Sequence, residues 1–119
     1  MRAGKPLPFF GDGTTRRDYT YVDDVVQGVL RALDRIEGYR IYNLGESRTV
    51  SLTELVAALE TALGRKAVLD RRPEQPGDVK ITYADVSRAR RELGYDPRTA
   101  LEDGLARFAA WLDAEERGR

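Results

Sequence analysis

Two aromatic rings, a tight glycine turn and a pair of arginines lie close together near the start of the chain, in Pro8-Phe9-Phe10-Gly11-Asp12-Gly13 and Arg16-Arg17-Asp18-Tyr19. A flat ring offers a stacking face, and a guanidinium makes paired hydrogen bonds to phosphate oxygens. Ring and fixed cation on either side of a bend therefore suit a nucleotide carrying phosphates. Little else in the sequence could do chemistry. Cysteine and histidine are both absent, which removes disulfides, thiolate metal sites, the commonest metal ligand and the usual neutral-pH base. The carboxylate pairs Asp23-Asp24 and Glu115-Glu116 are adjacent in sequence, so on a helix they point apart. They read as solvated faces, able at most to hold magnesium loosely. Arg88, Arg90 and Arg91 read as one exposed helix side balanced by nearby acids.

The elements that must position these residues follow from patterning. A length of 119 residues, with 41% hydrophobic and 34% charged residues, fits one soluble domain with a modest core. Lys and Arg number 20 against 20 Asp and Glu, leaving no net field to draw in nucleic acid or an anionic membrane. No apolar run approaches the ~20 residues that span a bilayer, and Met1–Pro6 has no signal-peptide core behind it. A cytoplasmic location is expected. Val22, Val25, Val26, Val29, Leu30, Leu33 and Ile36 make one apolar helical stripe ended by Gly38, and Gly28 within it implies close backbone packing. Ile41-Tyr42-Asn43-Leu44-Gly45 reads as a short buried strand. Ser51-Leu52-Thr53-Glu54 is a capping box opening a helix through Leu52, Leu55, Val56, Leu59 and Leu63, closed by Gly64. Ala67-Val68-Leu69 reads as another strand, and Pro73–Asp78 as irregular chain. Asp85 caps a short helix carrying Val86, Ala89 and Leu93, stopped by Gly94. Thr99-Ala100-Leu101-Glu102 is a second capping box, before a helix with Leu101, Leu105, Phe108, Trp111 and Leu112. Residues 115–119 are expected to fray. The outcome is a small mixed α/β domain of about four helices with short strands.

These segments, taken in order, resemble the C-terminal part of the NAD-dependent epimerase/dehydratase family, the extended short-chain dehydrogenases. The match rests on Pro8-Phe9-Phe10, Arg17-Asp18-Tyr19 followed by Tyr21-Val22 and Asp24, Tyr42-Asn43-Leu44-Gly45, Gln75-Pro76-Gly77-Asp78, Thr82-Tyr83-Ala84-Asp85 and Glu92-Leu93-Gly94-Tyr95. It runs from about Pro6 to Trp111, and residues 1–119 are read as one nucleotide-sugar-binding domain. The resemblance implies that Arg17 contacts the diphosphate, the alternative being a surface pair with Asp23 or Asp24. Pro8, Phe9 and Phe10 would pass beside the base, with one phenylalanine left in the core. Gln75 stands where some members have a second phosphate-binding arginine, a loss Arg72 could make good, and glutamine also occurs there in relatives acting on uronic-acid nucleotides. Asp78 would hold the ribose, or merely fix its turn. Arg16 matches no family role and is expected to be solvated.

The family also carries an N-terminal Rossmann domain with a glycine-rich turn for NAD, and a Tyr-x-x-x-Lys pair in which lysine lowers the tyrosine pKa. Neither pattern occurs in these 119 residues. The lysines are Lys5, Lys66 and Lys80, and none follows a tyrosine at that spacing. The expectation is a lobe that binds an NDP-sugar such as a UDP-sugar, with no catalytic residue, no metal and no NAD held by this chain alone. A separate Rossmann-domain chain is the implied partner. The alternative is a non-catalytic oligomerisation module or isolated fragment, whose uncovered apolar surface would drive homo-oligomers.

Overall fold

A computed structural model describes residues 1, 3–35 and 37–118. In chain order it contains β1 (Leu7–Phe10), β2 (Arg16–Arg17), α1 (Val22–Leu33), β3 (Val50–Ser51), α2 (Leu52–Leu63), β4 (Leu69–Arg72), α3 (Ser87–Leu93) and α4 (Leu101–Arg117). This is the mixed α/β lobe expected, with sheets of only two strands each. β1 lies parallel to β4 with Leu7 opposite Leu69 and Phe10 opposite Arg72. β2 lies antiparallel to β3, with Arg16 opposite Ser51 and Arg17 opposite Val50. Arg16 also bridges Ile81, where its N–H donates to the Lys80 carbonyl at 2.8 Å and its carbonyl accepts from Thr82 at 3.2 Å.

Helix ends follow local chemistry. The Ser51 hydroxyl accepts from the Glu54 N–H at 3.1 Å while the Glu54 carboxylate accepts from the Ser51 N–H at 2.7 Å, a reciprocal capping box. Gly64 and Gly94 close α2 and α3 in the left-handed region at φ 62° and 66°, where a side chain would be strained. Asp85 accepts from the Ser87 N–H at 2.9 Å, yet the N-cap of α3 is Val86, with no side-chain bond, so Asp85 lies one residue ahead of the cap and Val86 outside the helix.

The core is small. Val86, Ala89, Leu93 and Tyr95 are buried together, with Ala32, Tyr42, Leu44 and Ala84 packed around them. α1 turns Asp24 and Gly28 inward, and a Cβ on Gly28 would lie 2.7 Å from Leu44 Cδ2 and 3.0 Å from Tyr95 Cδ2. The close packing read from Gly28 is therefore present. Arg31 donates to the carbonyls of Leu93 and Gly94, and Arg35 to that of Glu92, so two guanidiniums neutralise the negative end of α3.

Several expectations are corrected. The valine–leucine stripe of α1, whose direction periodicity leaves open, faces outward apart from half-buried Val25, with Val22 61%, Leu30 56% and Leu33 57% exposed, and Asp24 and Gly28 occupy the inward side. α1 ends at Leu33 rather than near Gly38, its last turn tightening as the Arg35 N–H bonds to the Ala32 carbonyl at 3.2 Å; Ile36 lies outside the described residues. Ile41–Leu44 forms no strand and is not buried throughout, Ile41 being 61% exposed; the Asn43 amide instead donates to the Asp85 carbonyl at 3.3 Å. β4 begins at Leu69, so Ala67 and Val68 precede it. α4 is capped at Ala100, whose methyl offers no acceptor, so the Thr99–Glu102 capping box does not form, and the Thr99 N–H donates to Asp24 at 3.0 Å. Phe108 and Trp111 remain largely exposed, stacked on each other at 5.8 Å. The helix continues through Glu115 to Arg117, whose Nε donates to the Asp113 carbonyl at 3.1 Å; Arg119 is not among the described residues.

The chain is a slab, 49 by 40 by 21 Å. Its radius of gyration of 17.0 Å exceeds the ~13.5 Å typical of this length. Its accessible surface of 8423 Å² likewise exceeds the ~6,500 Å² typical of this mass. Much apolar surface lies on the outside. No helix of the described residues is long and apolar enough to cross a membrane.

Candidate functional site

Asp18 organises the segment that carries the arginines. Its Oδ1 accepts from the Glu46 N–H at 3.0 Å and the Thr20 hydroxyl at 3.3 Å. Its Oδ2 accepts from the Ser47 N–H at 3.0 Å and the Ala84 N–H at 3.1 Å. One carboxylate thus ties three stretches of chain into a knot, through bonds stronger than neutral ones because the acceptor is charged. Gly45 makes room for it: a Cβ there would sit 2.7 Å from Ala84 Cβ and 2.8 Å from Asp18 Oδ2. The Gly45 carbonyl accepts from the buried Tyr95 hydroxyl at 3.0 Å, so the knot is continuous with the core.

Successive strand residues point to opposite faces, and the two arginines separate accordingly. Arg16 is not solvated as expected. Its Nε donates to Thr49 Oγ1 at 3.0 Å, one Nη to the Thr49 carbonyl at 2.8 Å, and the same Nη pairs with Glu54 at 3.3 Å. Arg16 therefore buttresses the start of α2. Arg17 points the other way, donating to the Arg16 carbonyl at 2.8 Å and ion-pairing with Asp78. Its partner is neither Asp23 nor Asp24. Asp24 is no solvated face either: it is 8% exposed and accepts from the N–H groups of Arg98 and Thr99 at 3.3 and 3.0 Å.

The remaining predicted residues lie around this pair. Asp78 closes a hydrogen-bonded turn, its N–H donating to the Gln75 carbonyl at 3.1 Å. The Phe9 ring is 2% exposed, so of the two phenylalanines it is the one in the core and has no face to offer a base. Phe10 is half-buried with the Arg72 guanidinium 5.8 Å from its ring centre. Arg72 in turn is held by Asp70 at 2.7 Å, and so already has a counter-ion. Pro8 is exposed on β1. Arg17 and Asp78 are thus brought together, and Phe10 is left across the Gly11–Thr15 turn. Among the described residues the principal cavities are lined by none of these six. One of about 490 Å³ lies next to the knot, bounded by Asp18, Thr20, Tyr42–Gly45 and Thr82–Ala84. The Arg17–Asp78 pair is part-exposed, its side chains 28% and 44% accessible.

The glycines near β1 do not fit a dinucleotide. Gly11 and Gly13 connect two strands and open no helix, and a Cβ on Gly13 would meet the Phe9 ring at 2.6 Å. Gly13 is therefore set against the Phe9 ring, unlike a glycine that opens a helix beneath a dinucleotide. Among the described residues no cluster of three or more acids could hold a metal ion.

Sequence reasoning missed Glu46. Its Oε2 is buried without a hydrogen-bond partner among the described residues, in a cavity of about 250 Å³ shared with Arg16, Tyr19 and Arg48. Burial, and then the charges of Asp24 and Asp18, push its carboxyl above the usual range.

Fold and site together define a small mixed α/β lobe in which Arg17 and Asp78 meet as a part-exposed ion pair. Residues 1–108 match the family model described as GDP-mannose 4,6 dehydratase, and the chain belongs to this NAD-dependent epimerase/dehydratase family. It is 39% identical over 108 residues to the UDP-glucuronate 4-epimerase of Thermodesulfobacterium geofontis, covering 90% of this chain and 33% of that protein. Among solved structures it resembles the UDP-glucuronic acid 4-epimerase of Bacillus cereus in complex with UDP-glucuronic acid and NAD. That likeness has 34% identity and a TM-score of 0.87, over 96% of this chain and 37% of the other. The UDP-glucose 4-epimerase of Thermotoga maritima with UDP-glucose gives 31% identity and a TM-score of 0.88, over the same two fractions, 96% and 37%. The chain spans about a third of the length of the curated relatives it matches.

Two substitutions test this geometry. Gly45→Ala forces a methyl between Ala84 and Asp18 and should cost about 1–3 kcal/mol, read as a lower urea midpoint. An unchanged midpoint contradicts the packing. Glu46 has a folded pKa above its unfolded one, so its contribution to stability is full below the ordinary carboxylate pKa and is lost as pH rises through the raised value. Glu46→Gln should therefore raise the melting temperature at pH 7 and leave it little changed near pH ~4, as followed by circular dichroism.

Proposed function

We propose that this chain is the nucleotide-sugar-binding lobe of an NAD-dependent sugar epimerase or dehydratase, and that it contributes binding rather than the reacting groups. The observation that carries this reading is the meeting of Arg17 and Asp78, 61 positions apart, as a part-exposed ion pair. Together they offer a cation for a diphosphate and a carboxylate for ribose hydroxyls. Phe10, at the far end of the same turn, is the candidate neighbour of the base, and Pro8 and Phe9 contribute backbone alone. Gln75 presents an amide near the turn where an arginine would add charge. The named relatives bind UDP-glucose, or UDP-glucuronic acid together with NAD, which favours a UDP-sugar as ligand. A Rossmann domain of the kind the family carries would supply NAD, the Tyr-x-x-x-Lys pair and the missing wall of the site.

The exposed face of α1 supports the same picture. Val22, Val26, Val29, Leu30 and Leu33 form an apolar surface of the kind that a second body covers, and that second body would be the Rossmann domain. Titration calorimetry with UDP-, dTDP- and GDP-sugars tests the binding role. Heat is expected for a UDP-sugar, and Arg17→Ala should weaken it about tenfold or more, as loss of a charge-assisted bond requires. A folded protein that gives no heat with any of them, or an Arg17→Ala variant of undiminished affinity, refutes the assignment.

A second behaviour follows from the same apolar face when nothing covers it. The isolated chain should self-associate, and Leu30→Glu should shift it toward monomer in light scattering. A wild-type chain that stays monomeric at high concentration contradicts this.

A further inference from the structure

Resting on the nucleotide reading above, we propose that Asp78 is a placeholder anion: it occupies the seat of the diphosphate on Arg17 and yields it when a nucleotide arrives, which makes Asp78 the residue that selects nucleoside diphosphates over bare phosphates. The two partners are held very differently. Arg17 lies in β2, paired with Val50, its guanidinium braced by the Arg16 carbonyl at 2.8 Å and its side chain 28% exposed. Asp78 lies in a run, residues 71–83, exposed at every position, and its side chain is 44% exposed. Next to it, Gly77 adopts φ +85° with no heavy atom within 4 Å of where a Cβ would stand. The N–H of Asp78 is bonded within the same turn, to Gln75, and the strand-like tether to Arg16 begins only at Lys80. The cation is held in a paired strand and the anion on an exposed turn.

Carboxylate and phosphate oxygens are interchangeable acceptors for a guanidinium, and a half-exposed ion pair opens at little cost. An arriving diphosphate can therefore take the Arg17 N–H groups while the Asp78 carboxylate is released. Still tethered nearby, it can accept from two vicinal hydroxyls. A nucleoside diphosphate supplies both the replacement anion and the hydroxyls. Pyrophosphate supplies only the first, so for it the displaced carboxylate remains an uncompensated like charge. Specificity of this kind comes from a repulsive element as much as from an attractive one.

Calorimetry with pyrophosphate and with UDP on the wild type, Asp78→Asn and Glu74→Gln decides the matter, with folding checked by circular dichroism. Glu74 stands on the same turn, so Glu74→Gln removes an equal charge without touching Arg17. Asp78→Asn should bind pyrophosphate about threefold tighter, as removal of a half-exposed competing pair implies, and UDP more weakly. Glu74→Gln should change neither by as much. If wild type binds UDP but Asp78→Asn gains no more for pyrophosphate than Glu74→Gln does, the placeholder role is wrong and the nucleotide reading stands. If wild type binds no UDP, both fall.

Discussion

The Asp18 carboxylate is the constraint on which the rest of the lobe depends. It gathers N–H groups of Glu46, Ser47 and Ala84, and these belong to segments that otherwise share no sheet. Part-buried main-chain N–H groups need partners, and a charged acceptor that serves those of Glu46 and Ala84 together with the exposed one of Ser47 fixes where those segments can lie. The consequence for function is direct. Asp18 follows Arg17 in the chain, and Ala84 follows the Lys80–Thr82 stretch that runs beside Arg16. The knot therefore sets the direction in which β2 delivers its two arginines, one to the cap of α2 and one to Asp78. Gly45 and Tyr95 extend the same constraint into the core.

What the knot holds in place is an incomplete surface. A slab 21 Å thick cannot bury much, and the principal cavities avoid the residues that resemblance assigns to a nucleotide. α1 gives its inner face to Asp24 and Gly28 and keeps its valines and leucines outside. Both facts support the proposed function, in which this lobe would form one wall of a cleft and one side of an apolar interface. Ile41–Leu44 fits the same reading, because its apolar residues form no ladder within the described residues.

Much of the fold was legible in the sequence. The capping box at Ser51, the left-handed stops at Gly64 and Gly94, the buried side of α3 and the irregular turn at residues 73–78 all follow from local rules that need no knowledge of neighbours. The Gly28 contact was also legible, since a glycine inside a helix asks for a close approach. Orientation was not. Periodicity identifies an apolar stripe on α1 but says nothing of which side has a neighbour, and the stripe faces out. Acids that serve main-chain N–H groups were missed for a related reason. Asp18 and Asp24 look like any charged residue until the chain folds around them, and Arg16 looks like a spare cation until Thr49 and Glu54 are beside it. The pairing of Arg17 with Asp78 lay between these cases, as both residues were named but not as each other's partner.

The central claim is that a rigid knot at Asp18 presents Arg17 to an anion. Nitrogen–proton correlation spectra of the labelled chain, followed as UDP is added, test it most directly. The account predicts movement of the Arg17 Nε–H signal and of the amides of residues 75–80, with the Glu46, Ser47 and Ala84 amides holding still. A spectrum in which Arg17 does not move, or in which those three amides shift first, would contradict it.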